Sequence, residues 1–179
     1  MRFLLCGLFA LMPSLATAQT EQLLAPIPPG YTLVFSTQSE DGSATMQEWV
    51  PDGESTGNWS QMLTVQIFHG LTDVPPGVFH GRLRTLFQEQ CASGEHLPIT
   101  DGVELGTPFD LMLATCPDAP NANGRETFVS KAMAGQDALY LVQGAWRGEL
   151  SEALMTEWTQ YLATVTVCDS RRVEAPCPQ

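Results

Sequence analysis

Apolar and polar residues alternate most regularly between residues 61 and 68 of this chain. Leu63, Val65 and Ile67 fall on one face there, and polar side chains fall between them. A period of two is the pattern of a strand with one buried face, so this segment is predicted to be a strand. Further strands are predicted where β-branched and aromatic residues gather, at residues 31–38, 44–50, 109–116, 125–133 and 137–146.

Short runs of turn-forming residues separate several of these strands. Residues 39–43 and 134–136 each join two strands into a hairpin. Residues 97–108 are predicted to be a loop with one short strand near residues 103–105, and residues 117–124 an exposed loop of Pro, Asp and Asn. Consecutive strands are therefore joined mostly by short connections, which favours antiparallel pairing.

Two segments carry apolar residues at spacings of three and four, the pattern of a helix with one buried face. In the first segment these residues are Phe79, Leu83, Leu86 and Phe87. Asp73 is the expected N-cap of this helix, Pro75 and Pro76 suit its first turn, and Gly94 ends it. In the second segment, which begins near residues 149–151, they are Leu150, Leu154, Trp158, Tyr161, Leu162 and Val165.

The element order β-β-β-α-(β)-β-β-β-α predicts an α+β fold. We expect an antiparallel sheet of about six strands with two main helices packed on it. Residues 19–30 are expected to form an extended leader, because three prolines near their end remove backbone donors. Residues 31–179 are expected to form a single domain, since their number fits one hydrophobic core.

The first 18 residues have the composition of a cleaved signal peptide. Arg2 provides a positive charge, residues 3–15 are almost all apolar, and Ala16-Thr17-Ala18 is a small-residue cleavage pattern before Gln19. The sequence therefore predicts a periplasmic or secreted protein. Cys6 precedes most of the apolar run, so a lipoprotein is not expected, and no later segment approaches the roughly 20 apolar residues of a membrane-spanning helix.

Net charge narrows the classes of partner. The chain holds 8 basic and 20 acidic side chains, with a formal net charge of −12, and Arg171-Arg172 is its only basic doublet. Such a charge repels phosphate backbones and anionic lipid, so a nucleic-acid partner is not expected.

Four cysteines remain after the predicted cleavage, and an even number in an oxidising compartment predicts disulfides. Three pairings are possible. Cys168 with Cys177 is favoured because the two are close in sequence and the bond would hold a Pro-containing tail, which leaves Cys91 with Cys116. Their spacing contains no C-x-x-C pattern, so neither a metal nor a cofactor is expected.

Catalytic motifs are missing from the sequence. His69, His80 and His96 are interpreted as surface or packing residues, because the cysteines are expected to be paired and no G-x-S-x-G pattern is present. No catalytic residue is therefore assigned. One alternative stays open, in which His69 or His80 acts with a nearby carboxylate in a small secreted hydrolase.

Tryptophans provide the candidate binding residues. Trp158 fits the stripe of the second helix and is expected in the core. Trp59 follows the polar, glycine-rich loop of residues 51–58, so Trp59, Glu54 and Asn58 are the candidate ligand-facing residues.

Residues 46–55, 59–68 and 158–178 together resemble an uncharacterised family of exported proteins from Gram-negative bacteria. The element order is also similar to that of the PsbP-like fold, whose members act mainly as binding or assembly modules. The resemblance implies an α+β binding module and carries no activity over to this chain.

The sequence thus predicts an exported, non-catalytic binding or interaction domain. Its ligand is an unidentified protein or small molecule, and its expected state is a monomer. Two alternatives remain, the small secreted hydrolase and an envelope accessory protein that acts only in a complex.

Overall fold

A computed structural model describes residues 20–120 and 124–178. The predicted signal peptide lies outside these residues, and so do positions 121–123 of the predicted loop at 117–124. Among the described residues, no helix is both long and apolar enough to cross a membrane.

The fold is α+β, with two helices and nine strands in the described residues. In chain order the elements are β1 (Glu21–Leu24), β2 (Tyr31–Gln38), β3 (Ala44–Pro51), β4 (Gln61–His69), α1 (Pro76–Gln90), β5 (Glu95–Glu104), β6 (Thr107–Ala119), β7 (Gly124–Ala134), β8 (Ala138–Arg147), α2 (Glu152–Thr164) and β9 (Thr166–Asp169). Seven strands form one antiparallel sheet in the order β2-β3-β4-β8-β7-β6-β5, and β1 pairs with β9 in a second, small sheet.

The predicted fold class is confirmed, but the strands differ from the prediction: the large sheet has seven strands where about six were predicted, and β1 and β9 form a sheet of their own. Residues 95–104 form the edge strand β5, in antiparallel register with β6, where a loop with one short strand near residues 103–105 was predicted. This segment contains Pro98, Asp101 and Gly102, which are rare in strands, so only its pairing with β6 makes it a strand. The extended leader is also partly a strand, since β1 pairs with the distant β9.

The ends of the two helices agree only in part with those predicted from the sequence. The N-cap of α1 is Pro75 and it makes no side-chain capping bond, so the prediction of Asp73 as the cap is wrong. The last residue of α1 is Gln90, four residues before Gly94. The start of α2 is confirmed, because the Ser151 side chain accepts a hydrogen bond from the Leu154 N–H at 3.2 Å.

The two helices cover opposite faces of the large sheet, because neighbouring residues of a strand point to opposite faces. Leu111 and Val129 belong to a core cluster with Trp158 and Leu162 of α2. On the other face, Leu83 and Phe87 of α1 pack against a second cluster that contains Met112 and Phe128. Trp158 is 3 % exposed, so its predicted core position is confirmed.

Two disulfides are present in the described part of the chain, with the favoured pairing. Cys91 follows the last residue of α1 and is bonded to Cys116 on β6. Cys168 lies in β9 and is bonded to Cys177 of the C-terminal tail. The first bond fixes the end of α1 to the sheet, and the second holds the tail against the small sheet.

Lys131 is a buried cation on the face that α2 covers. Its Nζ donates to the carbonyl oxygens of Leu162 and Val165 at 3.1 and 2.9 Å, and it lies 2.5 Å from the carboxylate of Glu104. The side chain is 2 % exposed. Lys131 therefore supplies donors to the C-terminal end of α2, where helix carbonyls lack intrahelical partners.

Candidate functional site

A buried chain of hydrogen bonds joins α1 to the sheet. Nδ1 of His80 lies against Oδ1 of Asp110 at short hydrogen-bond distance, and Nε2 of His80 lies 3.1 Å from Oγ of Ser130. The pairing of β6 with β7 brings Asp110 and Ser130 to the same place. Ser130 is paired with Met112, and Asp110, two residues before Met112 on β6, points to the same face. His80 of α1 lies over this face.

Hydrogen bonds connect Asp110 to His80 and His80 to Ser130, as they connect the members of a Ser-His-Asp catalytic triad. Burial holds the pKa of His80 below its usual value, against the opposing bond and charge of Asp110, so the imidazole is neutral near pH 7. A neutral imidazole between an acid and a hydroxyl could serve as a general base.

The exposure of these three side chains to solvent does not suit hydrolysis. Ser130 is completely buried and His80 is 2 % exposed, whereas the Asp110 side chain is 21 % exposed. A cavity of about 200 Å³, lined in part by Arg84 and Pro98, reaches His80 and Asp110 but is not lined by Ser130. Solvent therefore meets the acid end of the chain, while a substrate must reach the nucleophile. The geometry fits a polar contact that attaches α1 to the sheet.

The candidate ligand-facing residues lie in a folded loop beside this face. Trp59 is 8 % exposed, and the Arg147 guanidinium lies 4.0 Å from the centre of its ring. Glu54 accepts hydrogen bonds from the N–H and hydroxyl of Ser60, both at 2.7 Å. Asn58 and Ser55 exchange two backbone hydrogen bonds. The three residues shape the loop, and the Trp59 ring packs in the core beneath Arg147.

A larger cleft, which we call the sheet-face cleft, opens on the opposite face of the sheet. It measures about 560 Å³ and lies where the chain between β1 and β2 passes over β3 and β4. Val65 and Ile67 of β4 form its apolar floor, and Trp49 of β3 contributes an aromatic ring. β1 contributes Leu23, and the connection from β1 to β2 contributes Ile27.

Polar side chains surround this floor. Gln47 and His69 are exposed and line the cleft. Asp137 of the β7–β8 turn and the buried Tyr140 of β8 line it as well. The cleft thus combines an aromatic ring and an apolar floor with hydrogen-bonding side chains, which make up half of its lining residues. Its size is that of a small-molecule site, and its lining suits a ligand with several polar groups.

A buried carboxylate fixes one end of the cleft. Glu21 accepts hydrogen bonds from the N–H groups of Gln136 and Asp137 at 2.5 and 3.0 Å and from the Tyr140 hydroxyl at 2.9 Å. Arg171 binds Asp137 through two bonds of 3.0 Å and also binds Asp169. Burial and the nearby Glu21 carboxylate raise the pKa of Tyr140, so its hydroxyl keeps its proton at neutral pH. These contacts hold β1 and the tail rigidly beside the cleft.

A third cleft, of about 330 Å³, lies between α1 and the β6–β7 strands. Leu83, Phe87 and Phe128 form most of its walls, with the Cys91–Cys116 disulfide at its edge. Glu126 is its acidic group; burial raises the pKa of Glu126, and Arg147 lies 3.8 Å away and opposes that shift. It is smaller than the sheet-face cleft and is not lined by a Trp or Tyr side chain.

Sequence reasoning did not select Ser130, Asp110 or Trp49 as site residues. Ser130 and Asp110 carry no local signal, because only the pairing of β6 with β7 brings them together under α1. Trp49 had a detectable signal, since Gln47 and Trp49 are two residues apart in a strand and therefore share one face.

Groups of three or more His, Cys, Asp or Glu side chains that could hold a metal ion do not occur within residues 20–120 and 124–178. No protein-family model matches this chain, and no curated protein sequence matches it.

Proposed function

We propose that this protein is an exported, non-catalytic binding domain whose ligand occupies the sheet-face cleft between the β1–β2 connection and strands β3 and β4. The observation that carries the proposal is the composition of this cleft, in which Trp49, Val65 and Ile67 meet polar groups across a volume of about 560 Å³. Clefts of roughly 300–1,000 Å³ are the typical size of binding sites for small molecules.

The cleft favours a ligand with a flat, apolar face and polar groups at its margin. An aromatic or sugar ring can lie against the indole of Trp49 and the floor of β4. Its hydroxyl or amide groups can then bond Gln47 and His69, which are exposed at the rim. Because Glu21 and Asp137 are held by backbone and Arg171 contacts, this end is formed before the ligand arrives.

Complete burial of Ser130 supports the binding function over the hydrolase alternative, because a nucleophile must reach its substrate. The two disulfides support folding in an oxidising compartment, which accords with export.

The test is ligand-observed NMR of the purified, disulfide-intact protein with a set of aromatic and sugar ring compounds. We expect several compounds to bind, and the substitutions Trp49→Ala and Gln47→Ala to weaken the same compounds. Gln47 is exposed, so its variant keeps the fold even where Trp49→Ala loses stability.

Phe35→Ala is the matched control, because Phe35 is 39 % exposed on the neighbouring strand β2 and does not line the cleft. Binding that survives both cleft substitutions, or that Phe35→Ala removes equally, would contradict the proposal.

A further inference from the structure

Exposed leucine side chains lie beside the β5 edge of the large sheet, and none of them lines the sheet-face cleft. Two adjoining clefts of about 500 and 450 Å³ lie beside β5 and β6, and both are lined by Leu97 and Leu113. The larger one reaches Leu150, just before α2, and the smaller one reaches α2 itself. We call this surface the edge groove. Its apolar lining residues are Leu97, Pro98, Ile99, Leu113, Leu150 and Met155.

The edge groove exposes large apolar side chains next to one another. Leu97 is 59 % exposed, Leu150 is 51 % exposed and Ile99 is 38 % exposed. Isolated exposed leucines are ordinary, but a contiguous apolar patch with a groove through it is typical of a surface that binds another protein. The groove lies on the face that α2 covers, because Leu97 is paired with Leu113, a residue that packs against the α2-side core.

An added strand is a poor occupant of this edge. Pro98 has no N–H to donate, and the register of β5 shifts between Pro98 and Thr100. Both features interrupt the row of backbone groups that a new strand would need. A helix needs no such row, and it can lie beside α2 on the same face of the sheet, where β5 and β6 carry the apolar residues.

The charges around the edge groove narrow the class of partner further. Glu95 lines the groove and Glu152 begins α2 two residues after Leu150, whereas Glu149 is already paired with Arg125 at 3.3 Å. Among the described residues, no Lys or Arg lines either cleft. The formal net charge of the whole chain is −12, which opposes the approach of a second copy. A cationic partner gains from the same field, because opposite charges steer association.

From these observations we propose that the edge groove docks an amphipathic helix of another protein, with an apolar stripe flanked by Lys or Arg. Its apolar residues fill the two clefts around Leu97 and Leu113, and its cations face Glu95 and the acidic start of α2. This inference does not depend on a ligand in the sheet-face cleft.

The test is fluorescence anisotropy of the full protein with three labelled peptides of about 18 residues, or roughly five helical turns. One peptide has a Leu stripe flanked by Lys, the second has the same stripe flanked by Glu, and the third has the Leu and Lys residues scrambled. We expect the first to bind most tightly, and its affinity to fall as salt is raised.

Leu97→Asp should weaken the Leu–Lys peptide roughly tenfold or more, because it places a charge in the apolar contact. Val103→Asp is the matched control: Val103 is 66 % exposed on the same strand and lines neither cleft. Both positions are exposed, so neither variant should impair folding. Four outcomes would overturn the proposal. The peptide could bind Leu97→Asp as tightly as wild type, or lose equal affinity with Val103→Asp. The protein could show no preference for the Leu–Lys peptide, or it could self-associate in a way that Leu97→Asp abolishes.

Discussion

Ser130 Oγ lies 3.1 Å from His80 Nε2, at a contact between β7 and α1 that solvent does not reach. Asp110 is hydrogen-bonded to the other ring nitrogen of His80, so the three side chains are connected as in a Ser-His-Asp catalytic triad. Here, however, the partly exposed member is the carboxylate and not the hydroxyl. Residue types and distances alone would suggest a hydrolase here. Burial of the hydroxyl indicates instead a polar contact that attaches the helix to the sheet.

We predict that Ser130→Ala lowers the free energy of unfolding by about 1–3 kcal/mol, because Nε2 of His80 loses its buried partner. Urea unfolding followed by circular dichroism measures this change. Ser36→Ala, at an exposed position of β2, should have little effect.

A fluorophosphonate probe should leave Ser130 of the folded protein unmodified, since the probe must reach the hydroxyl to react. Intact-mass analysis and peptide mapping give the result. Stoichiometric modification at Ser130 would instead favour the alternative of a hydrolase that uses His80.

The His80 contact also predicts a dependence of stability on pH. Burial lowers the pKa of His80 in the folded protein, so the unfolded chain binds the proton more readily. The contribution of His80 is therefore fully present above the unfolded value of about 6.5 and declines as the pH falls from there toward the lowered folded value. Urea midpoints from pH 7.5 to 5 should decrease more in wild type than in His80→Gln.

Comparison with His80→Gln is needed because burial raises the pKa of Glu48 and Glu126 in the folded protein. A carboxyl group whose pKa is higher in the folded than in the unfolded state stabilises the folded protein as the pH falls. These groups are common to both proteins and cancel in the difference. Parallel pH profiles for wild type and His80→Gln would show that protonation of His80 has no cost in the folded protein.

Lys131→Met should destabilise the protein by about 1–3 kcal/mol, the usual cost of leaving a buried hydrogen-bond acceptor without its donor. The change removes that donor from the Val165 carbonyl, whereas the Leu162 carbonyl keeps the Val165 N–H. Glu104 is 37 % exposed, so solvent replaces its partner. Arg82→Met, on the exposed side of α1, is the control. Equal stability of the two variants in urea would show that Lys131 contributes nothing to holding α2.

Gly144→Ala should also be destabilising, because a Cβ at this position of β8 would lie 2.0 Å from Cε3 of Trp158. The ring and α2 would have to shift, a change that typically costs about 1–3 kcal/mol. Thermal unfolding compares this variant with Gly57→Ala, where an added Cβ meets nothing within 4 Å. A melting temperature unchanged by Gly144→Ala would mean that α2 does not pack as closely as described.

Local patterns predicted the parts of the fold that local sequence controls. The alternation around Leu63 and Val65 identified β4, the stripe through Trp158 identified α2, and cysteine spacing favoured the pairing that is present. Each of these signals lies within a short segment, so no knowledge of distant contacts was needed.

Features that depend on distant contacts were missed. β5 contains Pro98 and Gly102 and is a strand only through its pairing with β6, and β1 is a strand only because β9 returns beside it. The sheet-face cleft has the same origin, since Trp49 and Tyr140 are brought together by strand order and not by spacing. Chain topology, more than residue type, therefore determined the candidate site.

The most direct test of the binding function is a two-dimensional ¹H–¹⁵N NMR titration of the labelled, disulfide-intact protein with the tightest ring compound found. We expect the backbone signals of Gln47, Trp49, Ile67 and Tyr140 to move, and Gln47→Ala to weaken the effect. Movement centred instead on His80, Asp110 and Ser130, or no binding by any ring compound, would contradict the proposed binding function.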